Sequence, residues 1–443
     1  MTIALPSAVS AALQKLNNAG YEAYVVGGCV RDSLLGIQPN DWDITTNALP
    51  DEITAVFVGE RVIPTGIAHG TVTVLLDGQP LEITTYRVDG TYSDNRHPDS
   101  VVFTRSLKDD LARRDFTVNA LAYHPTVGLV DCFSGLADLA RGAIVCVGEP
   151  EKRFTEDALR ILRALRFSAQ LGFTIEKMTA AAIRKLAPLL QRVSAERIAA
   201  ELGKLLCGKA VKGVLNAYPD VFGIILPELV PSVGLRQENP YHYLTVYEHT
   251  VETVAAIPPE LPLRLAMLFH DCGKPQCHTR DANGVDHFRG HPPISAAMAE
   301  QALERLRFDR RTIDTVKMLV LHHDDRLDQT DLTLKHLLSE YGLDNALSLI
   351  AVQRADILGQ HPDKRDRLTE LDAMEQRLHE LVAENACVSL KQLAVNGEDL
   401  LALGFAPGRA IGDTLHSLLD GVMSDEYPNE RTALLNAARK YRQ

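Results

Sequence analysis

Apolar and polar positions change their rhythm along this chain, and the changes predict its elements. Residues 5–19, LPSAVSAALQKLNNA, place apolar side chains three and four apart, which predicts an amphipathic helix. YEAYVVGGCVRD then reads as a short apolar strand ended by two glycines, and DSLLG as the helix that follows. WDITT, TVTVLL and PLEITTYRV are β-rich runs bounded by Gly, Asp and Pro. Residues 89–105, DGTYSDNRHPDSVVFTR, are polar and turn-rich, and predict a mobile loop joined to a strand. The pattern changes at Asp109, and beyond about residue 150 nearly all of it has helical period. RFTEDALRILRALRFSAQLGF is an example. The chain therefore predicts an α+β head leading into a long all-helical body, without repeats or a low-complexity linker.

Composition narrows the class. A chain of 443 residues, 46% hydrophobic and 23% charged, suits a globular protein of two to four domains. MTIALPSAVSAALQKL lacks the basic start and apolar run of a signal peptide, and no stretch nears the ~18 apolar residues of a membrane span. A cytoplasmic protein without membrane association is expected. The seven cysteines form no CxxC pair, so reduced thiols are expected; Cys272 and Cys277, near a histidine cluster, are spaced wrongly for a zinc clip. The net charge of −12 excludes indiscriminate coating of nucleic acid, so an RNA partner would be gripped along a local basic strip.

Candidate chemistry begins in the head. Asp41 and Asp43 are two residues apart in a run entering β-formers, and on a strand such residues share a face. Two converging carboxylates repel unless a cation lies between them, and Mg²⁺ prefers carboxylate, water and phosphate oxygens. Glu82, in LEITTY, is the candidate third carboxylate from a neighbouring strand. Two metals held this way would activate a 3′ hydroxyl and stabilise departing pyrophosphate. A lone DxD also suits turn-capping aspartates. Gly27-Gly28, between strand and helix, adds bare backbone N–H groups for a triphosphate, and Arg31 one turn along adds a charged fork.

GGCVRDSLLG followed by DWDITT resembles the nucleotidyltransferase signature of the polymerase β superfamily. More narrowly, it is similar to class II CCA-adding enzymes and bacterial poly(A) polymerases. HGTVTV, EITTYRVDGTYSDNRHPDSVVF, DDLARRDFTVNALA and EDALRILRALRFSAQLGF follow in that family's order, covering about the first 230 residues; VNGEDLLALGFAPG matches more loosely. The resemblance implies a polymerase β-like head, a mixed sheet with helices, and template-independent addition of CCA to tRNA from CTP and ATP with Mg²⁺. It implies a phosphate contact for Arg114, while Asp115 and Asn119 orient that site or cap local structure. An intact DGTYSDNRHPD argues against CC-only addition, and the absence of a basic run in VIPTGIAHGTVTV against poly(A) synthesis. An A-adding enzyme stays open.

Asp157, Arg160, Arg163 and Arg166 step by three along a predicted helix and form a strip on one side. An aspartate only accepts and an arginine only donates, so together they match the amine and ring nitrogen of cytosine or adenine. Uracil and guanine would leave both unsatisfied, at ~1–3 kcal/mol. The resemblance likewise implies Asp157 and Arg160 as the protein template, with Arg163 and Arg166 meeting phosphate or RNA. A solvated helix face with Glu156 or Asp157 paired to arginines is the plainer alternative.

Downstream, His249, His270-Asp271, His291, His322-His323-Asp324 and Asp356 occur in an order that resembles the HD phosphohydrolase superfamily. His249, His270, Asp271 and Asp356 fall at its metal-ligand positions, where a helical bundle holds a Mn, Ni, Fe or Mg-type ion. The expected domains are a head over 1–145, a nucleotide-selecting and RNA-binding neck over 146–230, an HD-type domain over 231–365 and a tRNA-binding helical tail over 366–443. Two further functions compete: the HD site as a phosphohydrolase on RNA ends or nucleotides, and a tRNA-binding chaperone, against which both sets of carboxylates argue. Oligomeric state is left open.

Overall fold

The computed structural model describes residues 2–90 and 101–441, which divide into two compact units, Met1–Val230 with Arg305–Arg307, and Pro231–Glu304 with Phe308–Gln443. In the first, α1 (Ser7–Asn18) buries Ala8, Val9, Ala12, Leu13 and Leu16, the stripe its period requires. The head continues through β1 (Ala23–Val26), α2 (Gly28–Leu34), β2 (Asp43–Thr46), α3 (Pro50–Val56), β3 (Arg61–Gly66), β4 (Thr71–Leu76) and β5 (Gln79–Thr85). It closes with β6 (Arg87–Asp89), β7 (Val101–Phe103), α4 (Leu107–Ala112), β8 (Leu121–His124), β9 (Gly128–Asp131) and α5 (Gly135–Ala140). Most of the loop expected over 89–105 lies outside the described residues.

Seven strands form one mixed sheet in the order β3-β4-β5-β2-β1-β8-β9. β2 and β5 run parallel and the other neighbours antiparallel. Alternation on β5 turns Leu81, Ile83 and Thr85 inward and leaves Glu82 outside. Val25, Ile44, Val72, Val74, Ile83 and Phe57 build the core beneath α1 and α3, each such side chain contributing ~1.5–3 kcal/mol on burial. A one-residue slip of β5 would bury Glu82, so the core sets the register.

The helices of the neck are α6 (Pro150–Glu156), α7 (Leu159–Leu171), α8 (Lys177–Leu186) and α9 (Ala195–Leu206). The sequence reads 153–173 as continuously helical, but the structure breaks it at Asp157, whose φ of −138° and ψ of 104° are extended. The Asp157 side chain explains the break: its Oδ1 accepts the Leu159 N–H at 3.0 Å, starting a second helix.

In the second unit, helices Val246–Ala256, Leu261–Phe269, His291–Arg305, Arg310–Leu321 and Asp331–Gly359, the last kinked at Gly342, supply or flank a buried polar centre, and Leu368–Ala383 packs on the last of them. A small hairpin, Thr279–Arg280 with Asp286–His287, interrupts the helical pattern. A separate C-terminal core gathers Leu400, Leu418, Leu419 and Leu434. No described helix is long and apolar enough to cross a membrane.

Candidate active site and metal centre

The head site is built where β1 ends. Gly27 has φ 86°, in the left-handed region that favours glycine. A Cβ there would stand 3.0 Å from Arg114 Nη1, so the turn and the arginine both need the bare backbone. Gly28 then opens α2. Arg31 is buried, donating to Asn119 Oδ1 at 2.6 Å and Asp32 Oδ1 at 2.8 Å, with its guanidinium 4.9 Å from the Phe167 ring centre.

Asp43 is the first residue of β2 and stands directly opposite Glu82 on β5. Asp41 precedes the strand, and all three residues keep open surface. Their carboxylates nonetheless feel one another. Crowding by surrounding protein is the largest influence raising the Asp43 carboxyl above its usual range, Glu82 and Asp41 add to it, and Arg114 opposes them. Behind Arg114 lies Asp110, fully buried, which accepts from Thr45 Oγ1 at 3.0 Å and meets Arg113 at 2.9 Å and Arg114 at 3.7 Å. Burial works to raise Asp110, but Arg113 and Arg114 overcome it and hold it below the usual carboxylate range.

In the neck, the strip expected from the sequence is divided. Asp157 lies at the α6–α7 junction, and its Oδ2 is paired with Arg197 of α9 at 2.8 Å. Arg160 meets Glu156 at 2.9 Å and donates to the Arg113 carbonyl at 3.0 Å. Arg163 pairs with Asp115 at 2.6 Å and Arg166 with Glu201 at 2.8 Å, the latter guanidinium 4.0 Å from the Phe167 ring centre. Burial would raise Asp115, yet Arg163 and Asn119 hold it down to about 2. A cleft of about 730 Å³ lies beside this array, lined by Arg113, Lys152, Arg153 and Glu156 among others.

The second unit gathers His249, His270, Asp271, His291 and His323, all buried, with Asp356 beside them. His249 Nε2 lies 2.9 Å from Asp356 Oδ1 and 3.3 Å from His270 Nε2. Asp271 Oδ2 stands 3.3 Å from His270 Nε2 and 2.7 Å from Lys274 Nζ. Burial opposes a charged His270, but Asp271 and Asp356 outweigh it and push it up to about 10. Burial is the largest influence on His323, pushing it down to about 3. His322, its neighbour, turns elsewhere, to Asp325 and Tyr341.

Comparison with known proteins fits this arrangement. Residues 23–145 match the Poly A polymerase head domain, 172–229 the probable RNA and SrmB-binding site of polymerase A, and 293–438 the putative tRNA nucleotidyltransferase domain 2. A CCA-adding enzyme of Latilactobacillus sakei is 36% identical over 433 residues, covering 96% of each chain. One from Levilactobacillus brevis is 37% identical over 425 residues, covering 96% of this chain and 95% of the relative. The chain belongs to the CCA-adding enzyme family. The Bacillus stearothermophilus CCA-adding enzyme, solved with CTP, superposes with TM-score 0.74 at 30% identity, over 98% of this chain and 96% of that one. A Thermotoga maritima CCA-adding enzyme shares the fold, with TM-score 0.59 at 21% identity over 97% and 94% of the two chains.

Within this CCA-adding family member, several partners escaped the sequence reading. Asp110 had a local signal, an aspartate three and four residues before Arg113 and Arg114. Arg197 and Glu201 had none, because packing of α9 on α7 alone brings them to Asp157 and Arg166. His291 and His323 stood in the expected histidine–aspartate series but not among its expected metal ligands, and the structure buries both beside Asp271.

Proposed function

We infer that this chain adds C, C and A to the 3′ end of tRNA from CTP and ATP in the cytoplasm, releasing pyrophosphate. The observation that carries this reading is the in-register pair Asp43–Glu82, with Asp41 alongside and Arg114 against the Gly27 turn. The donor set fits Mg²⁺: oxygen ligands that crowd one another's charge. Bound at Asp41 and Asp43, Mg²⁺ supplies charge neutralisation for the triphosphate and activation of the 3′ hydroxyl. Gly28 and Arg114 serve the phosphates, and Arg31 holds Asn119 and the Phe167 ring behind them. Asp157 accepts the base's amine: Arg197 and the Leu159 N–H each occupy one site on an oxygen, leaving lone pairs free. Glu156 and the Arg113 carbonyl aim Arg160 as the matching donor. Arg163, a third exposed, braces the strip through Asp115 and offers its open side to RNA. Arg166, expected from the sequence to meet phosphate or RNA, is buried against Glu201 and the Phe167 ring and braces the helix instead.

The test is incubation of the purified chain with tRNA ending before CCA, Mg²⁺ and CTP, with and without ATP. Two C and one A, lost in Asp43→Ala, support the reading. A alone on a CC end means an A-adding enzyme, long A tails a poly(A) polymerase, and no incorporation overturns it.

A second activity is favoured by the buried histidine–aspartate cluster. His249, His270, Asp271 and Asp356 have the donors for a divalent Mn, Ni or Mg ion, and such a site suits phosphoester hydrolysis on RNA ends or nucleotides. Hydrolysis of a nucleoside 2′,3′-cyclic phosphate with Mn²⁺, lost in His270→Ala and kept in Asp43→Ala, tests it.

A further inference from the structure

Two stretches of chain converge on the histidine–aspartate centre, and each sends one side chain inward and its neighbour out. In Tyr241-His242-Tyr243 the His242 ring turns in, its centre 4.7 Å from that of His249, edge to face. The flanking rings turn out: Tyr241 is 56% exposed and Tyr243 58%. In the second stretch, Gln360 Nε2 donates to Asp356 Oδ2 at 2.9 Å, whereas His361 meets the Tyr243 ring edge-on, at 5.8 Å between centres. Both tyrosines thus stand one residue from a side chain that touches His249, and His361 one residue from a side chain that touches Asp356.

The backbone behind the outward rings is held in place. Asn239 Oδ1 accepts from the N–H groups of Tyr241 at 3.0 Å and His242 at 3.2 Å. The Tyr241 carbonyl accepts the His361 N–H at 2.8 Å, which ties the two stretches together. Lys364 Nζ lies 5.8 Å from the Tyr241 ring centre, and Asp363 turns to His361 at 3.6 Å. Among the described residues from 234 to 366, the one other large apolar side chain left exposed is Leu332. A protein partner would need an apolar core around these rings; their neighbours are Asn239, His361 and Lys364 instead. Open tyrosine rings with a cation beside them are the surface that stacks nucleobases and meets the phosphates joining them.

We propose that Tyr241 and Tyr243 form a stacking platform for the last unpaired bases of a single-stranded RNA end, with Lys364 on its phosphate and the terminal phosphoester directed to the histidine–aspartate centre. This rests on the reading of that centre as a phosphohydrolase. The platform gives the site a substrate class: a ribonucleotide end with a free base, in preference to a small phosphoester without one. Stacking tolerates any base, because every base has a π-face. A base already stacked within a duplex offers no such face.

The experiment uses the full chain with Mg²⁺ and a single-stranded tetraribonucleotide ending in 2-aminopurine riboside 3′-phosphate, whose fluorescence stacking quenches. Saturable quenching is expected in the parent. Tyr241→Leu with Tyr243→Leu should weaken the affinity ~5- to 150-fold for each stack lost, and Tyr241→Phe with Tyr243→Phe should keep it. No saturable quenching in the parent overturns the platform, as does quenching at the parent's affinity in the leucine variant. Equal loss in the phenylalanine variant assigns the contact to the hydroxyls and overturns stacking. Mn²⁺-dependent hydrolysis of a nucleoside 2′,3′-cyclic phosphate is followed in the same proteins; KM should rise in the leucine variant with kcat kept. Hydrolysis absent from the parent while quenching is intact removes the hydrolase reading and leaves the platform. Hydrolysis with KM and quenching both unchanged in the leucine variant removes the platform and leaves the hydrolase.

Discussion

Replacing Asp157 with asparagine tests base selection at the atom that performs it. The carboxylate holds two protein donors, Leu159 N–H at 3.0 Å on Oδ1 and Arg197 Nη2 at 2.8 Å on Oδ2. An amide has one accepting oxygen, so one donor must face an NH₂ group. The side chain is 16% exposed and water reaches it only partly. Losing a hydrogen bond to a charged partner costs ~1.5–3 kcal/mol when buried, and the lower half of that range applies here. The consequence for selection is of the same size. The amide donates where the carboxylate accepted, which disfavours the cytosine amine and favours the uracil carbonyl. A shift of ~1.5–2.2 kcal/mol is about 10- to 40-fold in relative kcat/KM. Rates of CTP and UTP incorporation on tRNA ending before CCA measure that ratio directly. If Asp157→Asn folds and keeps the parent's CTP-to-UTP ratio within about twofold, Asp157 does not read the base.

Other outcomes follow from the same geometry. Gly359→Ala would place Cβ 2.8 Å from His249 Nδ1 and 2.7 Å from Thr253 Cγ2, so at ~1–3 kcal/mol of overpacking Mn²⁺ affinity should fall ~5- to 150-fold with the far-UV spectrum unchanged; unchanged affinity would contradict the aiming of His249 by its Nδ1 contact with the Gly359 carbonyl at 3.2 Å. Asp115 is held at about 2 against an ordinary 3.8, so its contribution, ~2 kcal/mol, is present above pH 4 and lost as pH falls through 2. Denaturant titrations of the parent and Asp115→Asn should converge over that window. In the metal-free chain His270 stays protonated up to about 10, stabilising the fold below its unfolded value near 6.5 and losing that contribution as pH rises through 10. Metal must displace this proton, so Mn²⁺ affinity should climb steadily from pH 6 to 9, and a flat profile would exclude the competition.

Local pattern determined what local physics can determine. The burial stripe of α1, the alternation of β5 around Glu82, the glycine turn after β1 and the apolar helix ending at His270 all follow from spacing within a few residues. The α+β head and the helical body follow from the same periods, which reflect 3.6-residue and two-residue geometry. Tertiary structure decided the partners. Parallel pairing of β2 with β5 set Asp43 against Glu82 across 39 residues of chain, because burying Ile44 and Ile83 together leaves no other register. Asp157 read as helical from its neighbours, yet its side chain did better capping Leu159 and meeting Arg197, a choice that exists only once α9 packs on α7. His322 and His323 are equivalent in sequence. The end of the Arg310–Leu321 helix sends one outward to Asp325 and the other inward to His291, since adjacent side chains there point to different sides. Periodicity names the elements, and long-range packing, by burying some donors and acceptors and not others, chooses which charges meet.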